Sequence, residues 1–199
     1  MTDDAWNRVD QDTVTAVFAR AVRDHADKPF LDMVGDLYTY AEFDALTNRF
    51  ANGLKALGVN KGDRVGALLD TSADAVAAWI AVNKLGAIYV PVNAAYKGEY
   101  LRHQFGDAGV GVVLCEAEYI DRLYAIQDRL PSLRALVRRG DGPVADAPFP
   151  TLRLVDALGD QTFVPDNCMP SDVSMLIYTG GTTGPSKGCI VSHNYVCNL

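Results

Sequence analysis

Val65-Gly66-Ala67-Leu68-Leu69, Ala87-Ile88-Tyr89-Val90-Pro91-Val92 and Val110-Gly111-Val112-Val113-Leu114-Cys115 are three short, nearly continuous apolar runs. Two segments of helical pattern separate them, from about Ala73 to Leu85 and near Lys97 to Gly106. A strand that is apolar at every position, not at alternate ones, has to be covered on both faces. Helical connections between such strands pair them in parallel with right-handed crossovers. The expectation is an α/β fold with a predominantly parallel sheet and helices on both faces.

The pattern extends in both directions. Val14, Val17, Phe18, Ala21 and Val22 share one face of a helix between Thr13 and His25, and His25 near its end suits the helix dipole. Thr39-Tyr40-Ala41-Glu42 has the spacing of a capping box, in which hydroxyl and carboxylate satisfy the amides of a first helical turn. Phe43, Leu46, Phe50, Leu54 and Leu57 form the apolar stripe of the helix that follows, and Gly58 ends it. Downstream, Glu118 to Arg129 reads as another helix and Leu133 to Val137 as another strand. Trp79 reads as core packing. Gly140 to Pro170, broken by five prolines from Pro143 on, reads as a surface connection.

With 18 Lys+Arg against 25 Asp+Glu, the 199-residue chain carries a formal net charge of −7, which speaks against nucleic acid as a partner. The composition, 49% hydrophobic and 22% charged, is that of a globular protein. A chain of this length buries roughly 70% of its unfolded surface and needs no disulfide or metal to fold. Cys115, Cys168, Cys189 and Cys197 form no C-x-x-C pair or Cys/His cluster, so free and mostly buried thiols and no metal are expected. The N-terminus is acidic, and no apolar run reaches the length of a membrane span, so a cytoplasmic location is expected.

Val173 to Tyr178 reads as a buried strand that enters Thr179-Gly180-Gly181-Thr182-Thr183-Gly184-Pro185-Ser186-Lys187-Gly188. Glycines let successive backbone N–H groups converge on an anion, hydroxyls of Thr179, Thr182, Thr183 and Ser186 add donors, and Lys187 adds charge. Those are the parts of a polyphosphate cradle. The stretch is not G-x-x-x-x-G-K-[ST], because Ser186 precedes Lys187 and Gly188 follows it. Cys189-Ile190-Val191 predicts a second strand after a mobile, exposed loop, and Ser192 is placed to cap a short helix. A Gly/Thr loop between strands is, taken alone, equally compatible with a plain hairpin.

Tyr178 to Gly188 resembles the signature Y-T-S-G-T-T-G-x-P-K-G of the adenylate-forming superfamily, which includes acyl-CoA synthetases, luciferases and peptide-synthetase adenylation domains. Tyr38 to Phe43, Gly58 to Val65, Lys84 to Asn93 and Ser192-His193-Asn194 are similar to family stretches in the same order. Gly180 stands in place of the signature's serine, and Pro185-Ser186 stands where x-Pro is usual. The resemblance implies carboxylate attack on the α-phosphate of Mg-ATP, release of pyrophosphate, and capture of the acyl-adenylate by a thiol. It assigns β- and γ-phosphate binding to Thr179, Gly180, Gly181, Thr182, Thr183, Gly184 and Lys187, and implies ATP, Mg2+ and CoA as cosubstrates. Asn93, where peptide synthetases more often carry Asp, resembles the acyl-CoA synthetase version, of fatty-acid or carnitine type. The family's acyl pocket, Mg-binding acids and catalytic lysine lie downstream of Leu199, so residues 1–199 are expected to be the N-terminal portion of the AMP-binding domain, without the C-terminal domain and inactive alone. A carboxylic acid, ATP and CoA are the implied partners, and a homo-oligomer is allowed. Three readings stand beside this one: another adenylate-forming enzyme, a phosphate-binding module without catalysis, and a non-catalytic interaction domain. His103 reads as surface or satisfied structure, and the motif match puts His193 near the site.

Overall fold

The computed structural model describes residues 12–141, 150–181 and 184–199. Helix α1 (Val14–His25) opens where the Thr13 hydroxyl accepts a hydrogen bond from the Ala16 amide. Strands β1 (Pro29–Met33) and β2 (Asp36–Thr39) form an antiparallel hairpin whose turn residues Val34 and Gly35 have φ of 56° and 96°. Positive φ at both positions matches the twist of a two-residue hairpin. The predicted capping box starts α2 (Tyr40–Ala56): the Glu42 amide donates to Thr39 Oγ1 at 3.2 Å and the Thr39 amide to Glu42 Oε2 at 2.9 Å. The Thr39 amide and then the Thr39 hydroxyl, both donating to Glu42 Oε2, hold the Glu42 carboxyl below the usual range.

The alternation beyond it is β3 (Arg64–Leu68), α3 (Ala73–Lys84), β4 (Ile88–Pro91), α4 (Glu99–Ala108) and β5 (Val112–Glu116). After the short helix α5 (Ile120–Tyr124) come β6 (Ala135–Arg139), β7 (Thr151–Arg153), α6 (Leu154–Ala157), β8 (Val173–Gly181), β9 (Gly184–Ser192) and α7 (His193–Cys197). One sheet takes β3 to β9 in the order β7-β6-β5-β3-β4-β8-β9, with every neighbouring pair parallel except β8 and β9. On one face, Phe18, Phe43, Phe50 and Ala77 from α1, α2 and α3 pack on Val65, Ala67, Val112 and Leu114. On the other, Leu101, Phe105 and Leu123 from α4 and α5 pack on Leu68, Val90 and Val113. Gly66 in the central strand admits Phe105, because a Cβ there would lie 2.7 Å from its ring. The two-faced parallel sheet is therefore the fold expected from the apolar runs.

Several local expectations are corrected. Glu118 to Arg129 is not one helix: a 3-10 turn (Ala117–Tyr119), α5 and a second 3-10 turn (Gln127–Arg129) share it. Pro131 drives Leu130 out of helical conformation, to φ −120° and ψ 73°. The helix expected near Lys97 starts at Glu99, since Gly98 at φ 57° lies outside helical space. The connection from Gly140 to Pro170 contributes β7 to the sheet edge, and its residues 142–149 lie outside the described ones. Of the four free thiols only Cys115 is buried, and Cys189 is exposed.

Candidate functional site

Because β8 runs parallel to β4, with Tyr89 opposite Met175, the Gly/Thr segment leaves the sheet at its carboxyl edge. β4 and β5 lie on opposite sides of β3, the switch in strand order beyond whose carboxyl ends α/β proteins bind ligands. Most of the segment is paired as strand. β8 continues to Gly181 and β9 starts at Gly184, with Thr179 opposite Lys187, Tyr178 opposite Gly188, and an irregularity between Thr179 and Gly181. The expectation of a loop from Thr179 to Lys187 is corrected accordingly: Thr179 pairs with Lys187 and Gly181 with Gly184. Thr182 and Thr183 lie outside the described residues.

Strand alternation gives this hairpin two unlike faces. Thr179, Lys187 and Cys189 share one face, which is exposed, and Thr179 Oγ1 lies 3.8 Å from Cys189 Sγ. Lys187 makes no ion pair among the described residues and is exposed at the carboxyl edge. The other face carries Tyr178, Ser186 and Gly188 and rests on α4. A Cβ at Gly188 would lie 3.1 Å from the Tyr178 ring, so glycine lets that ring lie flat across the pair. Tyr178 donates its hydroxyl to Asp107 Oδ2 at 2.6 Å, and its ring meets His103 edge-on with centroids 6.2 Å apart. Burial first, then Asp107, pushes the Tyr178 phenol upward, so it remains a protonated donor.

His103 Nε2 donates to the Ser186 carbonyl at 2.7 Å, and Gln104 Nε2 donates to Ser186 Oγ at 3.2 Å. The reading of His103 as satisfied structure holds, and the structure adds what satisfies it. Between α4 and the hairpin tip lies a cavity of about 430 Å3, lined by Tyr96, Tyr100 and His103 on one side and by Gly180, Gly184 and Pro185 on the other. Gly180 and Gly184 have open space where a Cβ would stand, and Gly184 has φ 154°, so their backbone is bare to a ligand. Bare backbone, the Lys187 ammonium and the Thr179 hydroxyl are groups that hold polyphosphate oxygens. Among the described residues no three His, Cys, Asp or Glu side chains converge as a metal-holding group.

Residues 18–199 match the AMP-binding enzyme family over nearly the whole chain. The chain belongs to that family. It is 33% identical over 79% of its length to the 3-hydroxybenzoate--CoA/4-hydroxybenzoate--CoA ligase of Thauera aromatica, of which it covers 30%. It is 32% identical over 94% of its length to a linear gramicidin synthase polypeptide of Brevibacillus parabrevis, of which it covers 3%. Its structure superposes on that of ATP-bound MatB from Rhodopseudomonas palustris with a TM-score of 0.74 at 31% identity, covering 90% of this chain and 35% of that one. The chain thus spans about a third or less of each of these proteins. The sheet and helices are those of the N-terminal part of AMP-binding enzymes.

Three residues are placed away from expectation or explained more simply. His193 is not at the hairpin tip: it is fully buried at the foot of β9, where Nδ1 accepts from the Val14 amide at 3.4 Å. Asn93 Oδ1 accepts from the Ala95 amide at 2.8 Å in a tight turn after β4. An aspartate accepts the same bond, so the turn alone accounts for the residue. Trp79, read as core, is only half-buried and lines a cleft of about 330 Å3 with Leu69, Tyr89, Pro91 and Met175. No helix among the described residues is long and apolar enough to cross a membrane. The support from α4 escaped the sequence reading. His103, Gln104 and Asp107 lie on one helical face, yet their partners are 71 to 83 residues away.

Proposed function

We propose that residues 1–199 are the N-terminal portion of the AMP-binding domain of an acyl-CoA synthetase. The enzyme activates a carboxylic acid with Mg-ATP, releasing pyrophosphate, and passes the acyl group from the adenylate to the thiol of CoA. The observation that carries this reading is the register of Thr179 opposite Lys187 in a glycine-rich hairpin at the carboxyl edge of a parallel sheet. Thr179, Gly180, Gly181, Thr182, Thr183, Gly184 and Lys187 hold the β- and γ-phosphates, so that charge developing on the leaving pyrophosphate meets oriented donors. Membership of the AMP-binding family and the aryl-CoA ligase relative support CoA as the acceptor. The acidic composition and the lack of a spanning helix among the described residues are consistent with the cytoplasm. The test is carboxylate-dependent exchange of labelled pyrophosphate into ATP by the full-length enzyme, over a panel of fatty, aromatic and carnitine-like acids. ATP binding with no exchange on any acid would replace this reading with a phosphate-binding module.

The similarity to linear gramicidin synthase favours a second reading, an adenylation domain that activates an amino acid for a carrier-protein thiol. Exchange driven by amino acids, with no acyl-CoA formed when CoA is added, selects it.

A further inference from the structure

We propose that His103 and Gln104 of α4 are positioning residues that lock Ser186 and thereby aim Lys187. The inference rests on the phosphate-binding reading above, and it concerns how this hairpin keeps its shape. The family signature has proline immediately before its lysine; here that place is taken by Ser186, and Pro185 has moved one position earlier. A proline fixes φ by its own ring and orders the strand before the lysine without help from elsewhere. Serine supplies no such restraint, and neither Pro185 nor Ser186 has a register partner on β8, where the ladder is irregular between Thr179 and Gly181.

The restraint comes instead from α4. Gln104 is only 2% exposed, so its amide is committed to the protein interior, and it donates to the Ser186 hydroxyl that a proline would lack. One residue earlier, His103 donates to the Ser186 carbonyl at 2.7 Å. Side chain and main chain of one residue are thus both held by adjacent positions of a helix that is itself anchored by Leu101 and Phe105 in the core. Successive strand side chains point to opposite faces, so fixing Ser186 against α4 sends Lys187 to the open face beside Thr179. With the lock released, the lysine samples more directions and its charge is spread over them.

A double-mutant cycle on the full-length enzyme tests this, with Mg-ATP affinity by calorimetric titration and amide hydrogen exchange at Lys187 and Gly188, read by mass spectrometry, as readouts. Gln104→Met keeps the volume and removes the donor; it should weaken Mg-ATP roughly three- to tenfold, the range of one neutral hydrogen bond, and raise exchange at those amides. Ser186→Pro should make both readouts indifferent to Gln104→Met, because the hydroxyl it served is gone. His103→Phe should weaken binding to a similar extent while keeping the ring against Tyr178, and His103→Gln, which retains an N–H at similar reach, should restore it. Independent, additive effects of Gln104→Met and Ser186→Pro would overturn the lock, as would affinity and exchange unchanged in Gln104→Met and His103→Phe. If the unmutated full-length enzyme binds no Mg-ATP, the phosphate-binding reading fails and with it the aiming of Lys187. The exchange data then still show whether α4 restrains Ser186.

Discussion

Lys187→Met in the full-length enzyme separates binding of the leaving group from everything else the domain does. Lys187 is exposed, lies opposite Thr179, and makes no ion pair among the described residues, so none of the described ion pairs depends on its charge. Stability should therefore change by no more than about 0.5 kcal/mol, the usual range for a surface position. The effect on chemistry is larger, because a hydrogen bond to a charged group contributes about 1.5–3 kcal/mol. Removing it where pyrophosphate charge develops should slow acyl-adenylate formation by about 10- to 150-fold. Thioester formation from pre-made acyl-adenylate involves no β- or γ-phosphate and should change less than about threefold. The two half-reactions are separated by rapid quench, starting once from acid plus ATP and once from synthetic adenylate plus CoA. Equal losses in both halves, or a loss in the first accompanied by a fall in melting temperature, would refute the assignment of Lys187 to the leaving group.

Gly180→Ser, which restores the signature's serine, meets no atom within 4 Å and should leave stability within about 0.5 kcal/mol by urea titration; Gly184→Ala, at φ 154°, should cost about 1–3 kcal/mol although space is open there. Lys84 is 4% exposed and gives its ammonium protons to Asp44 Oδ1, Thr47 Oγ1 and Asn48 Oδ1 at 2.7, 2.6 and 2.6 Å, so Lys84→Met should destabilise by about 1–3 kcal/mol as those acceptors lose their donor. A change below about 0.5 kcal/mol would show that α2 and α3 do not rely on this junction. Burial pushes the His193 imidazole below the ordinary histidine value, so the unfolded chain binds a proton that the native state resists. Stability from this residue is complete above about pH 6.5 and falls as pH drops below it, by at most about 1.4 kcal/mol per pH unit; His193→Gln should flatten the decline in denaturant midpoint between pH 7 and 5.

The parts of the fold that could be read from the chain are those whose cause is local. Continuous apolar runs at β3, β4 and β5 require cover on both faces, and Thr39 and Glu42 carry their capping chemistry within four residues. The hairpin of β1 and β2 had no such signal, since Val34 occupies a positive-φ turn position where glycine or asparagine announces a turn. β7 was hidden in a proline-rich connection because three residues are too few to show a period. At the site, glycines, hydroxyls and lysine were legible as a group. The length of the paired hairpin was not, because its order comes from α4 and not from its own side chains.

That division explains how the two departures from the signature can coexist in one hairpin. Gly180 adds backbone freedom on the β8 side of the tip, and Ser186 removes a ring restraint on the β9 side. Each change loosens the tip, and neither is offset by a side chain within the segment. The compensating contacts run to one helix: Tyr178 to Asp107 below the tip, and Ser186 to His103 and Gln104 beside it. Because α4 is seated by Phe105 against Gly66 at the centre of the sheet, the hairpin inherits its position from the core. A hairpin held in this way leaves exposed the face that carries Thr179 and Lys187. The face toward α4 carries the restraint, on the opposite side of the same two strands.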